Sequence, residues 1–195
     1  MKTPTHSSRR PGYTLIEILV VVSIISLLAA MTNSAIQTVL IRTRAAKVAT
    51  DLKDLVVGIS MFTMERSRVP VPPGFQSEEP FPLHEGSPVL AVLLGENRYG
   101  LNASETVYIS PKPGSNGAGG LVGNTGSYGY MDPWGQPYYL VVDASYNERV
   151  PNPDKKNSHE AISSRAADEL FGRSAAMSSG PDKRLFTKDD IVSWR

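Results

Sequence analysis

The chain passes from a short polar, basic stretch directly into an apolar run from Ile18 to Met31. Tyr13 to Met31 makes 19 residues with one charged side chain, Glu17. At the helical rise per residue this span is roughly 28 Å long, close to the thickness of a bilayer core. Nothing in the pattern stops the helix at Met31. No proline occurs from Tyr13 to Val69, and the only glycine in that stretch is Gly58. Val48, Leu52, Leu55, Ile59 and Phe62 recur at steps of four and three, marking one apolar face of a helix. Arg44, Lys47, Asp51, Lys53 and Asp54 fall on the other faces. The helix should fail near Arg68, because Pro70 holds Val69 out of the α region and Pro72-Pro73-Gly74 follow. The pattern therefore predicts one helix from Tyr13 to Arg68, a rod of roughly 80 Å. Its first half belongs in lipid and its second half against a globular head. The stripe covers barely two heptads, so it is expected to pack on the protein's own sheet rather than in a coiled coil.

Beyond the helix the pattern changes character. Residues 69–88 are proline-rich and read as irregular chain, and Val89 to Leu94 reads as a short helix ending at Gly95. Residues 112–129 are rich in Gly, Ser and Asn and read as a mobile loop. Asp132-Pro133-Trp134-Gly135 suits a tight turn, and Tyr138-Tyr139-Leu140-Val141-Val142 has the aromatic and β-branched bias of a strand. Residues 147–173 form a long insertion, read as a solvated surface loop with a candidate helix from Ser158 to Phe171. The expected class is α+β: a long amino-terminal helix packed on a small antiparallel sheet with long loops. Four segments follow: 1–12, a leader; 13–31, a membrane and assembly helix; 32–68, its amphipathic continuation; and 69–195, the head.

Charge and composition narrow the partners. The 195 residues carry 20 basic and 19 acidic side chains, a net charge of +1. Loss of residues 1–12 would remove Lys2, Arg9 and Arg10, leaving 17 basic against 19 acidic and a charge of −2. Such a chain has no electrostatic footprint for nucleic acid. Cysteine is absent, which excludes disulfides and thiolate metal sites. The leader cations before the first helix favour a cytoplasmic amino end, although Arg42, Arg44 and Lys47 on the far side argue against it. A secretory signal peptide is the competing reading, since the 14 residues from Ile18 to Met31 fit an apolar h-region. Glu17 interrupts that reading, and the cleavage context is poor both at Leu28-Ala29-Ala30 and at Asn33-Ser34-Ala35.

Gly12-Tyr13-Thr14-Leu15-Ile16-Glu17 before an apolar helix resembles the cleavage and methylation signal of type IV pilins and type II secretion pseudopilins. The resemblance implies cleavage by prepilin peptidase between Gly12 and Tyr13, then N-methylation of Tyr13. Glu17 becomes the fifth residue of the mature chain, an assembly position in that family. Asp132-Pro133-Trp134-Gly135-Gln136-Pro137-Tyr138 resembles a signature of major pseudopilins, and Ser178 to Trp194 resembles their terminal segment. In that family the terminal segment wraps a calcium ion. By position, Asp182 and Asp189 are the implied carboxylate ligands, with carbonyls near Ser179 and Leu185. The sequence departs from the pattern at Lys183, where glycine is usual, and Lys183-Arg184 sets two cations beside the implied ion. The alternative is that Asp189 caps a short helix running into Ile191 while Asp182 pairs with Lys183 or Arg184.

No catalytic constellation emerges. His6, His84 and His159 are isolated, and no HExxH, GxSxG, GxxxxGK[ST] or strand-borne GxGxxG is present. Asn102-Ala103-Ser104 matches a glycosylation sequon. The expected function is a non-enzymatic subunit of a type II secretion pseudopilus. Its partners would be sister subunits, prepilin peptidase, minor pseudopilins, the inner-membrane assembly platform and the membrane itself. The head would be periplasmic and the helix would sit in the bacterial inner membrane until extracted into a filament. The rivals are a surface type IV pilin and a membrane-anchored binding protein that never polymerises.

Overall fold

A computed structural model describes residues 12–195, without the side chains of residues 31–35. The leader cations Arg9 and Arg10 lie outside the described residues, as do the side chains of Met31 and of Asn33-Ser34-Ala35. Helix α1 runs Leu15–Arg66, two residues inside each expected boundary. Ser67 ends it in the left-handed region, with φ +53°, while its N–H still bonds the Thr63 carbonyl. The chain divides into two units, one up to Arg42 and one from Thr43 to Arg195.

In the first unit, the side chains described from Leu15 to Ala30 are exposed, Leu, Ile and Val included. Among the described residues, no helix is long and apolar enough to cross a membrane.

The second unit is built around the predicted stripe. Val48, Leu52, Leu55, Ile59 and Phe62 are all fully buried. Each such side chain contributes roughly 1.5–3 kcal/mol by leaving water. They pack on one face of a four-stranded antiparallel sheet whose order in space follows the order in sequence. Its strands are β1 (Phe81–Pro82), β4 (Tyr139–Val142), β7 (Ser174–Ser178) and β8 (Ile191–Val192). The period of two sorts β4 cleanly: Leu140 and Val142 join the helix core, with Tyr138 just before the strand. Val141 turns to the other face, where it packs with Ala175, Val150, Leu170 and Trp194. Helix α2 (Pro88–Leu93) closes the main core, ending where Gly95 takes φ +100°. Asn102 of the sequon is also fully buried, its amide donating to the Val92 and Thr106 carbonyls. It is therefore a structural residue, closed to modification in the folded chain.

Gly58 has a steric reason. A Cβ at this position would lie 2.4 Å from Ile109 Cγ2 and 3.2 Å from the Tyr108 carbonyl oxygen. The 108–109 segment thus crosses the helix at backbone distance. Alanine has the better helix propensity by about 1 kcal/mol, but overpacking costs roughly 1–3 kcal/mol. Gly58→Ala is expected to lower the thermal midpoint, and a midpoint above that of the wild type would contradict this close approach.

Two readings of the head need correction. The Gly-rich stretch 112–129 is not a loop throughout, since it holds most of a hairpin, β2 (Gly120–Asn124) and β3 (Ser127–Met131). Leu121 also pairs with the incoming chain, its N–H on the Lys112 carbonyl at 2.9 Å and its own carbonyl on Gly114 N at 2.7 Å. A Cβ on Gly120 would sit 2.3 Å from the Lys112 carbonyl oxygen, so a residue that weakens strands in general is required here. The helix expected from Ser158 to Phe171 shrinks to one turn, α3 (Glu160–Ser163). Leu170 belongs instead to β6 (Glu169–Phe171), paired with β5 (Arg149–Pro151).

Candidate functional site

Two places carry the motifs. At the start of α1, Gly12 and Tyr13 are exposed and precede the first helical turn. Thr14 is the N-cap. Its Oγ1 accepts from the Glu17 N–H at 3.3 Å, and the Glu17 carboxylate accepts in return from Thr14 N at 2.8 Å. The Thr14 hydroxyl donates to the same carboxylate oxygen at 2.9 Å. This reciprocal arrangement is a capping box, satisfying helix-start amides that have no partner within the helix. Glu17 therefore starts its own helix while remaining exposed on a single chain. Thr14 was not singled out in the sequence, although T-x-x-E is the capping-box spacing and was legible there.

The second place is the turn at Asp132. Pro133 takes the second position and Gly135 the fourth, with φ +81° and its N–H on the Asp132 carbonyl at 3.0 Å. Trp134 packs partly against the main core. The Asp132 side chain is fully buried. Its Oδ1 accepts from Trp134 N and Gln136 N, each at 2.9 Å, and its Oδ2 from Ser178 Oγ at 2.7 Å. One carboxylate thus joins the turn to the start of the terminal segment 178–194. The same region is latched to α1: Tyr138 donates to Asp51 at 2.7 Å, and Lys47 bonds both Asp51 and the Gly119 carbonyl. Burial, reinforced by Asp51, pushes the Tyr138 hydroxyl well above the usual tyrosine range. Tyr130 moves in the same direction for the same causes.

The terminal segment brings Asp182 and Asp189 together. Asp189 Oδ2 accepts from Asp182 N at 3.0 Å and Oδ1 from the Thr187 hydroxyl at 2.9 Å. Asp182 Oδ1 accepts from Arg184 N at 2.8 Å. Ser179 Oγ is buried without a hydrogen-bond partner. Burial pushes the neighbouring Asp190 carboxyl up to about 6, against the opposing pull of amides from Thr187 and Phe186. Calcium takes six to eight oxygens, and the two implied carboxylates supply at most four of them. Both Asp189 oxygens and Asp182 Oδ1 already accept hydrogen bonds. Among the described residues, no group of three or more His, Asp or Glu side chains could hold a metal. The helix-cap alternative also fails, because Asp189 leads towards strand β8 rather than into a helix.

Residues 7–33 match the prokaryotic N-terminal methylation motif. The chain carries a prepilin-type signal. That signal marks a type IV pilin-like protein processed by prepilin peptidase, and it implies membrane-anchored processing and pilin-like polymerisation. The motif embraces Gly12, Tyr13, Thr14 and Glu17, the residues of the capping box and of the cleavage junction. The Asp132 turn and the terminal segment lie outside it. No curated protein and no solved structure matches the chain significantly.

Proposed function

We propose that this prepilin-type protein is a structural subunit of a type II secretion pseudopilus. The observation favouring this class is the buried Asp132–Ser178 bond, which packs the two pseudopilin-like segments, 132–138 and 178–194, against each other. Segments far apart in sequence that form one structural unit make chance likeness at each a poorer explanation. The subunit is not an enzyme; its work is assembly. The precursor resides in the inner membrane with its amino end cytoplasmic and its head periplasmic. After cleavage between Gly12 and Tyr13 it joins sister subunits and minor pseudopilins at the assembly platform.

The exposed apolar side chains from Leu15 to Leu28 exchange lipid for neighbouring helices at little cost. Glu17 then meets the methylated amine of Tyr13 on an adjacent subunit. In low dielectric an unpaired charge costs several kcal/mol, so the register that pairs them is selected. Deletion of the gene is expected to strand exported proteins in the periplasm while surface filaments persist. Loss of surface filaments with export intact would assign the chain to an adhesive or motility pilus instead. A chain that stays monomeric in gentle detergent, with no crosslinks between helices, would indicate the anchored binding protein.

A further inference from the structure

We propose that the insertion clasps the carboxyl-terminal segment through residues 152–158, and that this clasp keeps the segment closed without a metal ion. The Asn152 side chain accepts from Asp154 N at 3.0 Å and turns the chain into a short 3₁₀ helix, Pro153–Lys156. That turn buries Asp154. Its two oxygens accept from the Trp194 indole N–H at 2.8 Å and from the Arg195 guanidinium at 3.1 Å, fixing the end of the chain. Three and four residues further on, the same stretch takes hold of the loop. Asn157 Nδ2 donates to the Thr187 carbonyl and Ser158 N to the Phe186 carbonyl, each at 2.7 Å. Seven consecutive residues thus hold both limbs of the terminal segment. On their outer side Lys155 pairs with Asp168 at 2.9 Å and Lys156 with Glu79, anchoring the turn to the rest of the unit.

Inside the loop the chemistry runs against a cation. Asp189 receives the Asp182 amide and the Thr187 hydroxyl, and Asp190 receives Thr187 N at 3.1 Å. Each donor takes up acceptor capacity on a carboxylate oxygen, leaving less of it towards the six to eight oxygens that calcium takes. The buried, unpartnered Ser179 hydroxyl adds one neutral oxygen, well short of the six to eight that calcium takes. Lys183 and Arg184 add two positive charges to the same loop. The clasp stands whichever filament the protein builds.

The test is thermal unfolding of the full chain in mild detergent, followed by tryptophan near-UV dichroism, with chelator and with millimolar calcium. An ion held at about 100 times its dissociation constant would raise the midpoint of a chain this size by roughly 5–10 °C. We expect no such rise. Asp154→Ala should lower the midpoint by several degrees, and calcium should not restore it. If Asp154→Ala does not fold, Asn157→Ala decides, with faster proteolysis between Lys183 and Lys188 as the expected sign. A rise with calcium in the wild type, recovery of a variant by calcium, or clasp variants as stable and protease-resistant as the wild type would overturn the proposal. None of these readouts depends on filament assembly.

Discussion

Glu17→Gln is expected to yield a chain that is cleaved after Gly12 and inserted normally yet enters filaments at a tenth of the wild-type level or less. Glutamine keeps an acceptor for Thr14 N and the Thr14 hydroxyl, so the capping box survives. What it loses is the charge. The methylated amine of a sister subunit would then sit among apolar helices without a counter-ion, at a cost of several kcal/mol. Since every 1.4 kcal/mol is tenfold in an equilibrium, even partial relief by water leaves a large assembly defect. Glu17→Val removes the charge and also the acceptor for Thr14 N and the Thr14 hydroxyl, while the bond from the residue-17 N–H to Thr14 Oγ1 stays. Comparing the pair separates the two contributions. If Glu17→Gln assembles as well as the wild type while Glu17→Val does not, the residue acts through its own helix rather than through a neighbour. Filament yield by shearing and sedimentation reads the outcome.

The second large effect belongs to the head. Asp132→Ala strips the acceptor from two backbone amides and the Ser178 hydroxyl in a fully buried site. Each orphaned donor costs about 1–3 kcal/mol, and with relaxation a total of about 3–5 kcal/mol is expected. For a chain of this size that lowers the midpoint by about 10 °C or more. Ser178→Ala should cost less, because the turn keeps its Asx bonds to Trp134 and Gln136. The two substitutions should also be non-additive, since they share one interaction. An Asp132→Ala protein within a few degrees of the wild type would show that the turn and the terminal segment are held by apolar packing alone.

Legibility in the sequence followed the range of the interactions. The helix stripe was readable because side chains at steps of three and four share a face whatever they pack against, and all five proved buried. Strand β4 was readable because its residues are β-branched or aromatic and its turn carries Pro133 and Gly135. The Gly-rich hairpin was misread because Gly120 and Gly123 are poor strand residues in isolation. Close approach of the Lys112 and Ser127 carbonyl oxygens demands them. The apolar and aromatic positions Leu121, Val122, Tyr128 and Tyr130 around Thr125-Gly126 were the available signal. The insertion looked solvated because Asn152, Asp154, Lys155 and Lys156 are polar. Asp154 is buried by Trp194 and Arg195, some forty residues away, which no local window reports. At the amino end the opposite held: cleavage junction, capping box and apolar run all lie within one short stretch, so the signal was legible almost entirely.

Intact mass and amino-terminal sequencing of the protein extracted from membranes read the processing of the amino end. A chain that begins at Tyr13 and carries one additional methyl group is the predicted result. A chain that begins after Ala30 or Ala35 would have lost Glu17 and the apolar helix, and could not assemble through a Glu17–Tyr13 pair.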